Sequence, residues 1–283
     1  MNKYIIVAES GADLSQETIE TYDIRVAQMH VEIDGRDYLD NDVSIDELTG
    51  FYDRTGNVPK TSGVNPQQYE AIFAKIKEEY PDAIVLHLCY SAVLSIGYQS
   101  SIQADDDAMR IYRVDIKNVS IGHGLVVTKA AELIAQNPDI EPEDLVARVE
   151  AIVQKTRFSF IPGNLAYLRA GGRVSNAQYI GATLLKLNPL IEVIDGFMLS
   201  TKKYRGTGAK VFRKMLADYL KKYAIDRERV YLVHACALDN VIKEAVERFL
   251  REAGVKSMVW HAAGGVISSH SGPGGVGIAG IEA

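Results

Sequence analysis

In the stretch LRAGGRVS (168–175), Arg173 follows two glycines, Gly171 and Gly172. A guanidinium on such bare backbone lets an oxyanion approach closely and holds it through two parallel hydrogen bonds. Three other stretches set polar side chains beside glycine. PKTSGVNP (59–66) carries Thr61, Ser62 and Gly63; SAVLSIGYQS (91–100) carries Ser91, Ser95 and Gly97; SHSGPGG (269–275) carries His270. Hydroxyls combined with the free N–H groups of a helix start suit a carboxylate or a phosphate. Each stretch also has a plain reading: Ser95 caps its own helix, Thr61 and Ser62 close a turn, and His270 sits on a surface turn by chance.

Other candidates point less clearly to chemistry. Residues 201–230 hold ten Lys/Arg against three acids. That basic excess is either a solvated helix face or a docking surface for an acidic partner. His30, His87, His123, His234 and His261 lack metal-ligand spacing, so no metal is expected. Asp105, Asp106 and Asp107 point in different directions on a helix and read as a solvated turn. There is no P-loop, no GxSxG, no HExxH and no GxGxxG behind a strand, and no nucleophile–base pair shows in the sequence. A binding protein without catalytic residues or cofactor fits these absences better than a self-sufficient enzyme.

The elements that must position these residues follow from patterning. YIIVA (4–8) and AIVLHLCY (83–90) are apolar runs of the kind buried on both faces of a parallel sheet. Further strands are expected at 24–33 and 110–116. Ser44 with Glu47 forms a capping box for a helix over 45–53, Asn65 and Pro66 open another, and helices follow from about 98, over 125–137 and from Pro142. This alternation predicts a doubly wound α/β domain over 1–157 with a mostly parallel sheet. FSFIPG, LIEVIDGFML and VYLVHA then read as strands and VFRKMLADYLKKY and VIKEAVERFLREAG as helices, a second α+β domain over 158–283.

Composition sets limits on partners. The chain is 283 residues long, 47% hydrophobic and 24% charged, with formal net charge -6 and pI about 5.6. It is globular, and an acidic chain of this kind is not expected to bind nucleic acid. Cys89 and Cys236 are isolated and read as buried thiols of a reducing compartment. MNKYIIVAES turns polar too soon for a secretion signal, and no apolar run approaches the ~18 residues a membrane helix needs. A cytoplasmic protein without a membrane span, at most in transient membrane contact, is expected.

Taken together, SGADLS, IDGRDYLD, PKTSGVNP, SAVLSIGYQSS, YLRAGGRVS, LLKLNPLIEVIDGFM, YRGTGAK and HSGPGGVG, in this order over essentially the whole chain, resemble the DegV family of bacterial fatty-acid-binding proteins. The resemblance implies one long-chain fatty acid held between the two domains, with Thr61 and Ser95 on its carboxylate and Ser62 and Gly97 nearby. It also implies a partner, an ATP-dependent fatty acid kinase whose catalytic subunit makes an acyl phosphate for phospholipid synthesis, with Arg173, His270 and Arg205 facing the head group or that partner. Two positions depart from the family's usual pattern. Glu9 replaces an aspartate, and LSIGYQ replaces LSGTYQ, so that Ile96 stands where glycine is usual and would strain any backbone at positive φ.

The physics of such a ligand is simple. About 0.8 kcal/mol per buried methylene gives roughly 8 kcal/mol for ten, near micromolar affinity before ordering costs. The chain thus supplies affinity, and the head-group residues supply position. The competing readings are a stand-alone hydrolase or phosphotransferase using His270, and a binder of some other apolar carboxylate.

Overall fold

The computed structural model describes residues 3–172, 187–236 and 238–283. Strands β1 (Tyr4–Glu9), β2 (Arg25–Ala27), β3 (His30–Ile33), β4 (Arg36–Leu39), β5 (Lys60–Ser62), β6 (Ile84–Cys89) and β7 (Arg110–Asp115) belong to the first half. A parallel sheet runs in the order β2-β1-β6-β7, and a small antiparallel sheet in the order β4-β3-β5. Every residue of β1 and β6 is buried. The period-2 alternation of β1 splits it between two cores. Ile6 and Ala8 pack towards the helices Ser120–Gln136 and Pro142–Lys155. Ile5 and Val7 pack on the other face, with the helices Ile45–Thr55 and Pro66–Glu79. Both expected helix starts form complete capping boxes, Ser44 with Glu47 and Asn65 with Gln68.

The second half contributes β8 (Thr156–Ile161), β9 (Leu187–Ile194), β10 (Phe197–Arg205), β11 (Arg229–His234), β12 (Ser257–Ala262) and β13 (Val276–Ile281). They form a mixed sheet in the order β10-β9-β8-β13-β11-β12. The long helices Ala209–Lys222 and Asn240–Glu252 cover one face with a core that includes Met215, Leu216, Leu232 and Leu250. The other face meets the first half. There Tyr90, Val119, Ile121 and Leu125 share a core with Phe158, Phe160, Ile191 and Val233. The α/β class with a parallel sheet followed by a second sheet is the architecture the patterning predicts.

Three expected elements differ, each for a physical reason. The strand expected over 24–33 is two, β2 and β3, in different sheets. The chain turns between them at Gln28 and Met29, where Met29 N–H donates to Ser10 Oγ at 3.0 Å. LIEVIDGFML is a hairpin, not one strand. Asp195 and Gly196 both lie at positive φ, 49° and 86°, as a two-residue turn matching the strand twist requires. The glycine-rich tail is no bare loop. It holds a helix, Gly265–Ser271, and then β13, which lies between β8 and β11 inside the sheet. Its glycines make room for aromatics: a Cβ at Gly277 would meet Phe158 at 2.8 Å and Phe160 at 3.0 Å.

Candidate functional site

A cavity of about 330 Å³ lies between the two sheets, within the usual size range of small-molecule sites. Its walls come from both halves and are largely apolar: Met29, Tyr90, Leu94 and Val119 from the first, Phe158, Phe160, Leu168, Met198, Val233 and Val276 from the second. Phe158 and Phe160 stack at 5.5 Å between ring centroids. The helix Gly265–Ser271 and the residue pair before it run along the cavity. Val266, Ile267 and His270 line it from one face of the helix, and Ala263 lines it just before the helix start.

Apart from Ser120 and Ser271, the polar lining groups gather at one end. Thr61, Ser62, Gly63, Ser95 and His270 all line the cavity, and no lysine, arginine or carboxylate does so among the described residues. Thr61 ends up here because β5 pairs with β3, placing Thr61 opposite Val31. Its Oγ1 lies 2.8 Å from His270 Nε2. A ring N–H donating to Thr61 Oγ1 leaves the threonine proton for a ligand oxygen. Ser95 shows the same arrangement: its Oγ accepts Gly97 N–H at 3.2 Å, so its own proton is left to be donated. The two hydroxyl loops touch. A Cβ at Gly63 would stand 2.7 Å from Ser95 Oγ, so only glycine fits there. Two neutral hydroxyls and an imidazole at the end of an apolar cavity are a carboxylate site in which the chain does most of the binding.

The histidine stretch and the double glycine also meet. A Cβ at Gly171 would lie 2.2 Å from His270 Nδ1. Gly163 and Asn164 N–H both donate to Ser271 O, at 3.0 and 3.1 Å, and Gly272 at φ 70° turns the chain beside Tyr167. The segment before Arg173 therefore wraps the end of the His270 helix. Arg173 itself lies outside the described residues. Arg205, at the exposed end of β10, is not among the cavity-lining residues. Gly97 does not line the cavity either; it is buried behind Ser95. Ile96, expected to strain a backbone at positive φ, adopts an ordinary helical conformation at φ −76°, ψ −9°, so the serine loop carries no such strain.

Behind the loops lies a polar network that the residue patterns do not announce. Glu9, 1% exposed, accepts Tyr90 N–H at 2.9 Å and the Tyr69 hydroxyl at 2.6 Å, and His87 Nε2 is 3.3 Å away. Burial alone would raise its carboxyl; the charge and hydrogen bond of His87 and the Tyr69 hydroxyl outweigh it and hold Glu9 down at about 2. His123 donates from Nε2 to Leu88 O at 2.7 Å, and burial keeps it neutral by lowering its pKa. Asp13 sits at φ 51° and spans the halves. It accepts Gly264 N–H at 2.8 Å and the hydroxyl of Ser120, a cavity residue, at 2.5 Å. Asp40 joins it on the same helix start through Val266 N–H at 2.7 Å. The only sequence signal for these acids is a carboxylate ending an apolar strand at Glu9.

Comparison with known proteins fits this geometry. The family model described as "Uncharacterised protein, DegV family" matches residues 3–283. A DegV domain-containing protein of Caldanaerobacter subterraneus subsp. tengcongensis is 29% identical over 283 residues, covering 98% of each chain. Among solved structures, a fatty-acid-binding DegV family protein from Thermus thermophilus is similar with TM-score 0.88 at 26% identity, over 99% of this chain and 100% of that one. A DegV lipid-binding protein from Thermotoga maritima matches with TM-score 0.81 at 26% identity, over 99% and 98%. The chain belongs to the DegV family.

Proposed function

We propose that this DegV family member binds one long-chain fatty acid in the inter-sheet cavity, with the carboxylate on Thr61 and Ser95. The observation that carries the reading is the cavity itself: largely apolar walls, with two hydroxyls at one end, Thr61 paired with His270 and Ser95 accepting Gly97 N–H. Fatty-acid and lipid binding by the two similar structures points the same way. The finer part of the proposal is that the bound acid is not the end product. A separate cytoplasmic ATP-dependent fatty acid kinase takes it as substrate and forms an acyl phosphate for phospholipid synthesis. Neutral donors leave the carboxylate nucleophilic. Arg173, with Arg205 at a greater remove, then meets the charge that develops on phosphoryl transfer. Titrating delipidated protein with oleate and with oleyl alcohol tests the head-group assignment. The acid is expected to bind at least tenfold tighter; equal affinities would remove the carboxylate site.

One observation favours a second reading. The Thr61–His270 contact is a hydroxyl–imidazole pair of the kind that activates a nucleophile. Hydrolysis of acyl esters by the purified protein alone, lost in Thr61→Ala, would establish that alternative.

A further inference from the structure

Gly97 N–H is the donor that orients Ser95, and it lies at the first position of the helix Gly97–Gln103. Its φ is not in the left-handed region, so backbone freedom does not explain the glycine. Space does. A Cβ at this position would meet Glu9 Oε1 at 2.7 Å, the Tyr69 hydroxyl at 3.1 Å and Ser95 Oγ at 3.5 Å. The carboxylate of Glu9 thus occupies the volume that a side chain at 97 would need. A relay of donors holds it there. Arg113, which has only donors, gives Nε–H to Ser101 Oγ at 2.7 Å. Ser101 Oγ lies 2.8 Å from His87 Nδ1, and His87 Nε2 lies 3.3 Å from Glu9 Oε1. The other oxygen of Glu9 takes Tyr90 N–H, from the start of the loop that carries Ser95.

We propose that Glu9 is a positioning residue for the ligand-carboxylate end, matched in length to the missing side chain at Gly97, and that it acts through Ser95. With its carboxylate clasping Tyr90 N–H at one end of the loop and abutting Gly97 at the other, Gly97 N–H is aimed at Ser95 Oγ and the serine proton is left for the ligand. Glu9 never touches the fatty acid; it decides which way the serine faces. The inference rests on the fatty-acid reading above.

The test is a double-mutant cycle on delipidated protein, reading oleate Kd and melting temperature together. Gly97→Ala is expected to weaken binding at least tenfold, and Glu9→Asp, which shortens the acid by one methylene, to restore Gly97→Ala to within about threefold of wild type. Glu9→Gln, of the same shape, is expected to weaken binding about tenfold in wild type and less than threefold in Ser95→Ala, because its effect passes through that hydroxyl. A purely structural role would give the same factor in both backgrounds and would overturn the proposal, as would failure of Glu9→Asp to rescue Gly97→Ala. Should Glu9→Gln not fold, the Gly97→Ala and Glu9→Asp/Gly97→Ala pair decides the matter alone. Wild-type protein that does not bind oleate would instead overturn the fatty-acid reading beneath it.

Discussion

Thr61 Oγ1 and His270 Nε2 stand 2.8 Å apart although 209 residues separate them in the chain. Thr61 belongs to the short β5 and His270 to the helix before β13, so the contact forms only when the two halves have closed on each other. Two hydroxyl loops and a histidine that look unrelated in sequence thereby become one polar end of one apolar cavity.

Removing the hydroxyls tests that end. Thr61→Ala and Ser95→Ala each delete a hydrogen bond to a charged group, a loss of about 1.5–3 kcal/mol. Each variant is expected to bind oleate roughly tenfold to a hundredfold more weakly, and the double variant more weakly still, read by equilibrium titration. Residual binding through the acyl chain is expected in all three. Wild-type affinity in the double variant would contradict the assignment.

His270 and Arg173 are expected to separate. His270 holds Thr61, so His270→Ala should lower fatty-acid affinity severalfold as well as impair acyl-phosphate formation by the kinase. Arg173→Ala should keep its lipid and its melting temperature but lose roughly a hundredfold or more in kinase turnover, the usual scale for removing a stabiliser of developing charge. Lipid content, melting temperature and turnover measured on one preparation distinguish these outcomes. An Arg173→Ala protein that sheds both lipid and stability would show a structural role instead.

Cavity length should set chain length. Ala263 lines the cavity just before the start of the helix Gly265–Ser271, at the opposite end of that helix from His270. Ala263→Phe fills the cavity away from the carboxylate. Stearate affinity is expected to fall at least tenfold, with dodecanoate little changed, when both are titrated side by side. Equal losses for both acids would mean that the acyl chain takes another course.

Asp13 predicts a pH dependence. Burial pushes its carboxyl up to about 7 from an ordinary 3.8, against the pull of Gly264 N–H and Ser120. Its contribution is fully present below 3.8, where the carboxyl is protonated in both states. It is lost as pH rises to about 7, because the unfolded chain ionises first; the full change is roughly 4 kcal/mol. Asp40, also raised by burial, acts in the same direction. Asp13→Asn keeps the acceptor without the charge, so urea melts from pH 4 to 8 should show a shallower loss and a variant more stable than wild type at pH 8. A steeper slope in the variant would contradict this.

Much of the fold is legible in the sequence because its signals are local. YIIVA and AIVLHLCY read as buried strands, the capping box of Ser44 and Glu47 forms, and a helix opens where Asn65 and Pro66 announce it. The tail is not legible, since glycine at 277 and 280 reads as loop until Phe158, Phe160 and Ile225 are seen to require its missing side chain. Of the site, Thr61, Ser62, Ser95 and His270 could be named from hydroxyls and histidine beside glycine. Glu9 could not be given its place, because its partners His87, Tyr69 and Tyr90 come from distant segments and only the sheet order brings them together.

The central claim is occupancy of the cavity by a fatty acid. Native mass spectrometry of the gently purified protein, followed by denaturation and extraction, reads this directly. The account predicts an adduct lost on denaturation and an extract containing close to one equivalent of long-chain fatty acid, reduced in Thr61→Ala/Ser95→Ala. Protein at its bare chain mass that also fails to take up added oleate would contradict it.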